Sequence, residues 1–290
     1  MTGIKKTIRF PLTLTLLLCI WGCQTPGERH SFKYDGQTRT YWVYQPKSMK
    51  TDSPLPLVIN LHGFSESAAL ETHRSDMNTF ADQEHFIICY PEGTGLRKAW
   101  NTEGERHADD VGFISALIDT LVSNCNVDTF RIYLVGFSNG AQMALIAGSS
   151  LSRRIAAIAI AGTCFSEKQL ESLDPGRGVS LIAFHSRNDP AAKYEEFEYK
   201  GVLCPSVFEI FSTWALKCGC NSGPDTTVFE GGVSKLRWHN DSTGMEVVLW
   251  TTPDGKHTWP GGRGIPFPGG SRPSKRINAN KLMWEFFETP

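Results

Sequence analysis

Three residues of this chain have the types and settings for covalent catalysis: Ser138, Asp189 and His257. A serine hydroxyl is a weak nucleophile until a base takes its proton. An imidazole does this best when a carboxylate holds it in one orientation. Ser138 stands in the run Gly136-Phe137-Ser138-Asn139-Gly140. Glycines two before and two after the serine remove the Cβ atoms that would collide where the backbone turns sharply from strand into helix. Such a turn is strained and projects the hydroxyl above a sheet. The five residues alone also fit an ordinary tight turn, so their context decides. Ile132 to Val135 is a short β-branched and apolar run, and Ala141, Met143, Ala144, Ile146 and Ala147 recur at helical spacing afterwards. The N–H of Asn139 then opens a helix and points where charge would develop on a reacting oxygen.

The partners of such a serine must lie in loops at the carboxyl ends of neighbouring strands. Ser180 to His185 reads as a buried strand, with Asp189 just past its end. Met245 to Thr251 reads as the last strand and runs into a loop carrying His257. Asp189 before Pro190 also suits a turn cap, and Asp174 and Asp254 are rival acids. Asp174 precedes a strand and Asp254 shares the loop of His257, so Asp189 is preferred. Of the other histidines, His30, His73, His85 and His107 lie upstream, His239 precedes the last strand, and His185 sits beside Asp189 as a supporting group. The resulting order Ser, Asp, His is that of α/β-hydrolases. A second oxyanion donor is expected from the backbone N–H of Phe64, after His62-Gly63 at the end of the strand Pro54 to Leu61.

The remaining elements agree with that frame. Tyr34 to Gln45 carries an Asp-Gly turn signal and alternates as an edge hairpin. Helices are predicted over Ser67 to Ala81, Asp109 to about Val122, Val207 to Leu216 and Asn278 to Glu288, and further strands over Phe86 to Tyr90 and Ile155 to Ala161. Strands alternating with helices predict a single α/β domain with a mostly parallel, doubly wound sheet.

At the amino terminus, Lys5, Lys6 and Arg9 precede an apolar stretch, Phe10 to Trp21, that is too short to span a bilayer. The predicted organisation is a signal peptide over residues 1–22, a tether over 23–33 and a catalytic domain over 34–290. Ile20-Trp21-Gly22-Cys23 resembles a bacterial lipoprotein cleavage site with Cys23 lipidated; plain secretion is the alternative. The chain is therefore expected to be exported and to meet a membrane only through that lipid. A net charge of −1 gives no electrostatic case for nucleic acid. Cys89, Cys125, Cys164, Cys204, Cys218 and Cys220 remain after Cys23, an even number that suits an oxidising compartment. Their pairing is open among 15 possibilities. Cys218-x-Cys220 is too tight for a zinc knuckle and is read as a disulfide staple.

The segments LHGF, CYPEG, DDVGFISALID, RIYLVGFSNGAQMA, FHSRNDP, GKHTWPGG and WEFF occur in this order. Together they resemble the polyhydroxybutyrate depolymerase and feruloyl esterase family of secreted α/β-hydrolases, from about Gly36 to Phe287. The resemblance places nucleophile, acid and base on Ser138, Asp189 and His257, in agreement with the reading above. Asp110, in DDVGF, is read as a helix cap that braces the site. The resemblance implies hydrolysis of carboxylic esters through an acyl-enzyme, with no metal or organic cofactor. Activity is expected to fall below about pH 6.5–7, where an imidazole base becomes protonated. Trp100, Trp259 and Phe64 lie in loops expected to surround the serine, which suits an aromatic or sugar-linked ester such as a feruloyl or acetyl group on plant polysaccharide. Polyester depolymerisation is the enzymatic alternative, and a carbohydrate-binding surface lipoprotein the non-enzymatic one.

Overall fold

The computed structural model describes residues 25–47, 53–104, 108–199, 201–265 and 272–289. The expected signal segment and Cys23 lie outside these residues, as does part of the Gly/Pro-rich stretch 261–273. From the amino-terminal side the elements are β1 (Glu28–Tyr34), β2 (Gln37–Tyr44), β3 (Leu55–Leu61), α1 (Ala68–Ser75), α2 (Met77–Glu84) and β4 (Ile87–Pro91). There follow α3 (Asp110–Asn124), β5 (Val127–Phe137), α4 (Asn139–Ser150), β6 (Ala157–Ala161), α5 (Glu167–Ser172) and β7 (Ser180–Ser186). The last third holds β8 (Phe197–Tyr199), β9 (Val202–Cys204), α6 (Val207–Lys217), β10 (Ser222–Val228), β11 (Ser234–Asn240), β12 (Met245–Thr252) and α7 (Ala279–Phe287).

Ten strands form one sheet in the order β1-β2-β4-β3-β5-β6-β7-β12-β11-β10. The centre, from β4 to β12, is parallel, and both edges are antiparallel. The central strands are apolar throughout because both faces are covered. Leu57, Ile59 and Leu61 of β3 belong to the core layer that also takes in side chains of α3, α4 and α6. Val58, pointing the other way, packs with α1, α2 and α7. Side chains alternate across a strand, so a run such as LPLVINL feeds both layers at once. The architecture is the α/β-hydrolase type expected from the sequence, one domain with a mixed, mostly parallel sheet.

Several local expectations are corrected. β1 begins at Glu28, so residues 28–33, expected as tether, belong to the sheet. The helix expected over Ser67 to Ala81 is two helices, broken at Asp76, which takes a left-handed conformation with φ 52°. No glycine or proline marks that break. Asp109, not Asp110, caps α3, accepting from Gly112 N–H at 2.8 Å. Asp110 instead takes the buried Arg39 guanidinium at 2.6 Å and the N–H of Asn101 at 2.7 Å, which ties the loop after β4 to the hairpin. The six cysteines from Cys89 to Cys220 are free thiols. The staple expected at Cys218-x-Cys220 does not form. Cys218 Sγ lies 3.4 Å from Val179 backbone atoms, whereas Cys220 Sγ faces the Met245 carbonyl at 3.9 Å.

Candidate active site

Sheet register brings the candidate residues together. Leu61 of β3 pairs with Gly136 of β5, so Phe64 and Asn139 each stand three residues past the same rung. Phe137 pairs with Ala161 of β6, Ala161 with Phe184 of β7, and Ser186 with Thr252 of β12. Asp189 and His257 follow the two residues of that last rung, Ser186 and Thr252. All these residues therefore leave the sheet at its carboxyl edge.

Ser138 has φ 55° and ψ −119°, a strained backbone for a residue with a side chain. Close packing of the turn requires both flanking glycines. A Cβ on Gly136 would lie 2.3 Å from the Gly140 carbonyl oxygen, and one on Gly140 would lie 2.1 Å from the Leu61 carbonyl oxygen. Backbone cannot yield cheaply there. Gly140→Ala is expected to cost more than about 3 kcal/mol of stability, measured by denaturant unfolding. A variant as stable as the parent would contradict this close approach.

The side chains form one hydrogen-bonded line. His257 Nε2 lies 2.9 Å from Ser138 Oγ, and His257 Nδ1 lies 2.8 Å from Asp189 Oδ2. The other Asp189 oxygen accepts from the N–H groups of Ala191 at 2.8 Å and Ala192 at 2.9 Å. Burial of Asp189 opposes its charge. The hydrogen bond and charge of His257, helped by the Ala192 N–H and His185, outweigh this and hold the carboxyl below its ordinary value. His185 donates from Nε2 to the Ala192 carbonyl at 2.7 Å and so braces the Asp189 turn, while burial lowers its own pKa. Phe137 packs against the His257 ring, with centroids 4.7 Å apart. The rival acids are engaged elsewhere. Asp254 binds Ser274 and Arg276, and Asp174 caps Gly176.

The loop carrying Phe64 is fixed by its peptide groups. Gly93 N–H donates to His62 Nε2 at 3.0 Å, so the ring proton is on Nδ1, which donates to the Gly63 carbonyl at 2.7 Å. Burial lowers the His62 pKa, which favours this neutral form. In a planar trans peptide the C=O and the next N–H point in opposite directions. Anchoring the Gly63 carbonyl on its inner side therefore turns the Phe64 N–H outward. The Phe64 side chain is 46% exposed, with the Arg97 guanidinium 5.8 Å from its ring centre. On the facing side, the Asn139 side chain accepts from Trp100 N–H at 2.8 Å and so secures the start of α4 to the loop after β4.

Trp100 and Trp259, expected to contact substrate, are 2% and 0% exposed. Trp100 Nε1 donates to the His62 carbonyl at 2.8 Å, which makes it a strut behind the Phe64 loop. Trp259 Nε1 donates to Asn280 Oδ1 at 2.8 Å and anchors the loop after His257 to α7. Loop position alone could not reveal that burial.

A buried ionic group without a local sequence signal lies behind the Phe64 loop. Arg74 holds both Glu66 and Glu71, and burial of Glu71, partly offset by Arg74, pushes its pKa up to about 7. An unfolded glutamate titrates near 4.5. Between those values the folded chain keeps a proton that the unfolded chain releases, so stability falls as pH rises through that window. Glu71→Gln should flatten the fall, which is on the order of 3 kcal/mol across the window. Equal slopes for variant and parent, in unfolding measured from pH 5 to 8, would contradict that origin.

Fold and constellation together define a serine hydrolase of the α/β-hydrolase class. The profile of the family described as "Esterase PHB depolymerase" matches residues 39–195, and the chain belongs to that family. The domain is accordingly a carboxylic ester hydrolase. It is 30% identical over 163 residues to the bifunctional acetylxylan esterase/xylanase XynS20E of Neocallimastix patriciarum, covering 56% of this chain but only 23% of that protein. It is 22% identical to feruloyl esterase D of Neurospora crassa, over 90% of this chain and 85% of that one. Among solved structures, an acetyl xylan esterase from Aspergillus awamori superposes with a TM-score of 0.63 at 14% identity, over 90% of this chain and all of that one. That last likeness concerns the fold.

Proposed function

We propose that the protein is an exported, lipid-anchored serine esterase that removes feruloyl or acetyl groups from plant polysaccharide. Its Ser138 Oγ attacks the ester carbonyl while His257 Nε2 takes the hydroxyl proton. Asp189 keeps the imidazole in the tautomer that accepts at Nε2 and stabilises the imidazolium that forms. The N–H groups of Phe64 and Asn139 bind the tetrahedral oxyanion. His257 then protonates the leaving alcohol oxygen, and a water activated by the same imidazole releases the acid and regenerates Ser138. The observation that carries this reading is the continuous line from Asp189 through His257 to Ser138, at 2.8 and 2.9 Å.

The acyl group and the polysaccharide are supported by the relatives named acetylxylan and feruloyl esterases. The half-exposed Phe64 supports an aromatic or sugar ring lying against the site. Export and the lipid on Cys23 are supported by the amino-terminal sequence. A hydrolysis panel of methyl ferulate, acetylated xylan, short p-nitrophenyl esters and polyhydroxybutyrate tests the substrate. Release of ferulate or acetate from the polysaccharide-type substrates is expected to exceed polyester hydrolysis. Preference for the polyester would overturn the assignment, and hydrolysis of none would favour a binding protein.

A further inference from the structure

The Arg74 group touches three parts of the site. Its guanidinium binds both oxygens of Glu66, one at 2.7 Å, and Glu71 Oε2 at 2.6 Å. Glu66 Oε2 in turn accepts the N–H of Gly63 at 2.9 Å, and Glu66 N–H donates to the Gly63 carbonyl at 3.3 Å. Both sides of Gly63 are thus held by one residue, and Gly63 shares its peptide plane with the Phe64 N–H. The Arg74 guanidinium carbon lies over the Phe137 ring, 4.0 Å from its centre, and the same ring packs against His257. The Arg74 carbonyl accepts from Arg263 N–H at 2.8 Å, and Gly262 packs so tightly on that carbonyl that a Cβ there would stand 2.2 Å away.

Stability is a poor reason for this arrangement. Burying one guanidinium with two carboxylates costs desolvation that their attraction only partly offsets, and apolar residues of similar size often serve as well. What apolar residues cannot supply is a directed acceptor for the Gly63 N–H. They also cannot supply a rigid planar group that ties the oxyanion loop to the ring beside the base.

We propose that Glu66 and Arg74 are positioning residues for the ester-cleaving reaction. In this arrangement the bidentate pair sets the 63–64 peptide so that its N–H meets the oxyanion, and the guanidinium face backs Phe137 beside His257. Neither side chain touches the substrate. The inference rests on Ser138 being the nucleophile, as read above.

The test compares Glu66→Gln and Glu66→Asp with the parent. The first keeps the length and removes the charge, and the second keeps the charge and withdraws it by one methylene. Readouts are kcat and KM on p-nitrophenyl acetate, inhibition by phenylboronic acid, which forms a tetrahedral adduct on a serine oxygen, and thermal unfolding. Complete loss of one oxyanion donor costs about a hundredfold or more in kcat, so a displaced donor is expected to cost about tenfold. Both variants should show that loss, with KM within about twofold and boronate inhibition weakened by the factor lost in kcat. Arg74→Lys, which cannot grip both carboxylate oxygens, should behave in the same way. Parental kcat in Glu66→Gln, or restoration of kcat and unfolding temperature together in Glu66→Asp, would overturn the proposal and leave Glu66 a counter-charge for Arg74. Because the parent is assayed alongside, absence of hydrolysis and of fluorophosphonate labelling in the parent itself would overturn the nucleophile assignment and the positioning role with it. Parental activity with unchanged variants overturns the positioning role alone.

Discussion

Replacing Ser138 by alanine is expected to lower kcat by about a millionfold on any ester that the parent cleaves, while leaving the folded state intact. The magnitude follows from the chemistry. Without Oγ no acyl-enzyme forms, and the remaining rate comes from oxyanion binding and substrate positioning alone. The hydroxyl hydrogen-bonds to His257, whereas the turn is held by backbone packing that Gly136 and Gly140 permit, so alanine, which keeps the Cβ, should adopt the same backbone. Substrate binding measured in the variant should change little. A residual rate within a hundredfold of the parent would mean that another group attacks the ester.

Asp189→Asn is expected to lower kcat by about ten thousandfold, with KM nearly unchanged. The buried carboxylate receives three donors: His257 Nδ1 and the N–H groups of Ala191 and Ala192. An amide can still accept the backbone bonds with its oxygen, but its NH2 then faces His257. The imidazole must answer with a bare Nδ1, which moves its proton to Nε2 and removes the acceptor that Ser138 needs. Pre-steady-state kinetics should show the loss in acylation. An asparagine variant with parental acylation would mean that the carboxylate holds the loop and does not govern the tautomer.

The features legible in the sequence each sit in a short local pattern. Two glycines around Ser138, an apolar run before it and helical spacing after it sufficed to locate the elbow. Strand ends then narrowed the acid and base to Asp189 and His257, because topology restricts where a partner can stand. The antiparallel strands β10, at the sheet edge, and β11, beside it, carry weaker signals. SGPDTTV contains proline and glycine and lacks alternation, since an edge strand exposed along nearly its whole length need not be apolar. The break at Asp76 was hidden because an aspartate occupies the left-handed position where a glycine would have announced it.

Partnership across the fold was less legible still. Arg39 and Asp110 are 71 residues apart in the chain, and Arg74 of α1 meets Phe137 at the end of β5. Single-sequence periodicity reports which face a residue occupies, not what faces it. The same limit explains Trp100 and Trp259, whose loop positions suggested substrate contact. Their indole N–H groups instead hold His62 and Asn280 inside the fold.

The central claim is that the hydroxyl of residue 138 is activated through the ring of residue 257. Reaction of the intact protein with a fluorophosphonate, followed by peptide mapping, addresses it directly. A single adduct on Ser138 that forms rapidly in the parent and is lost in His257→Ala is the expected result. An adduct on another residue, or unchanged labelling of Ser138 without the imidazole, would contradict it.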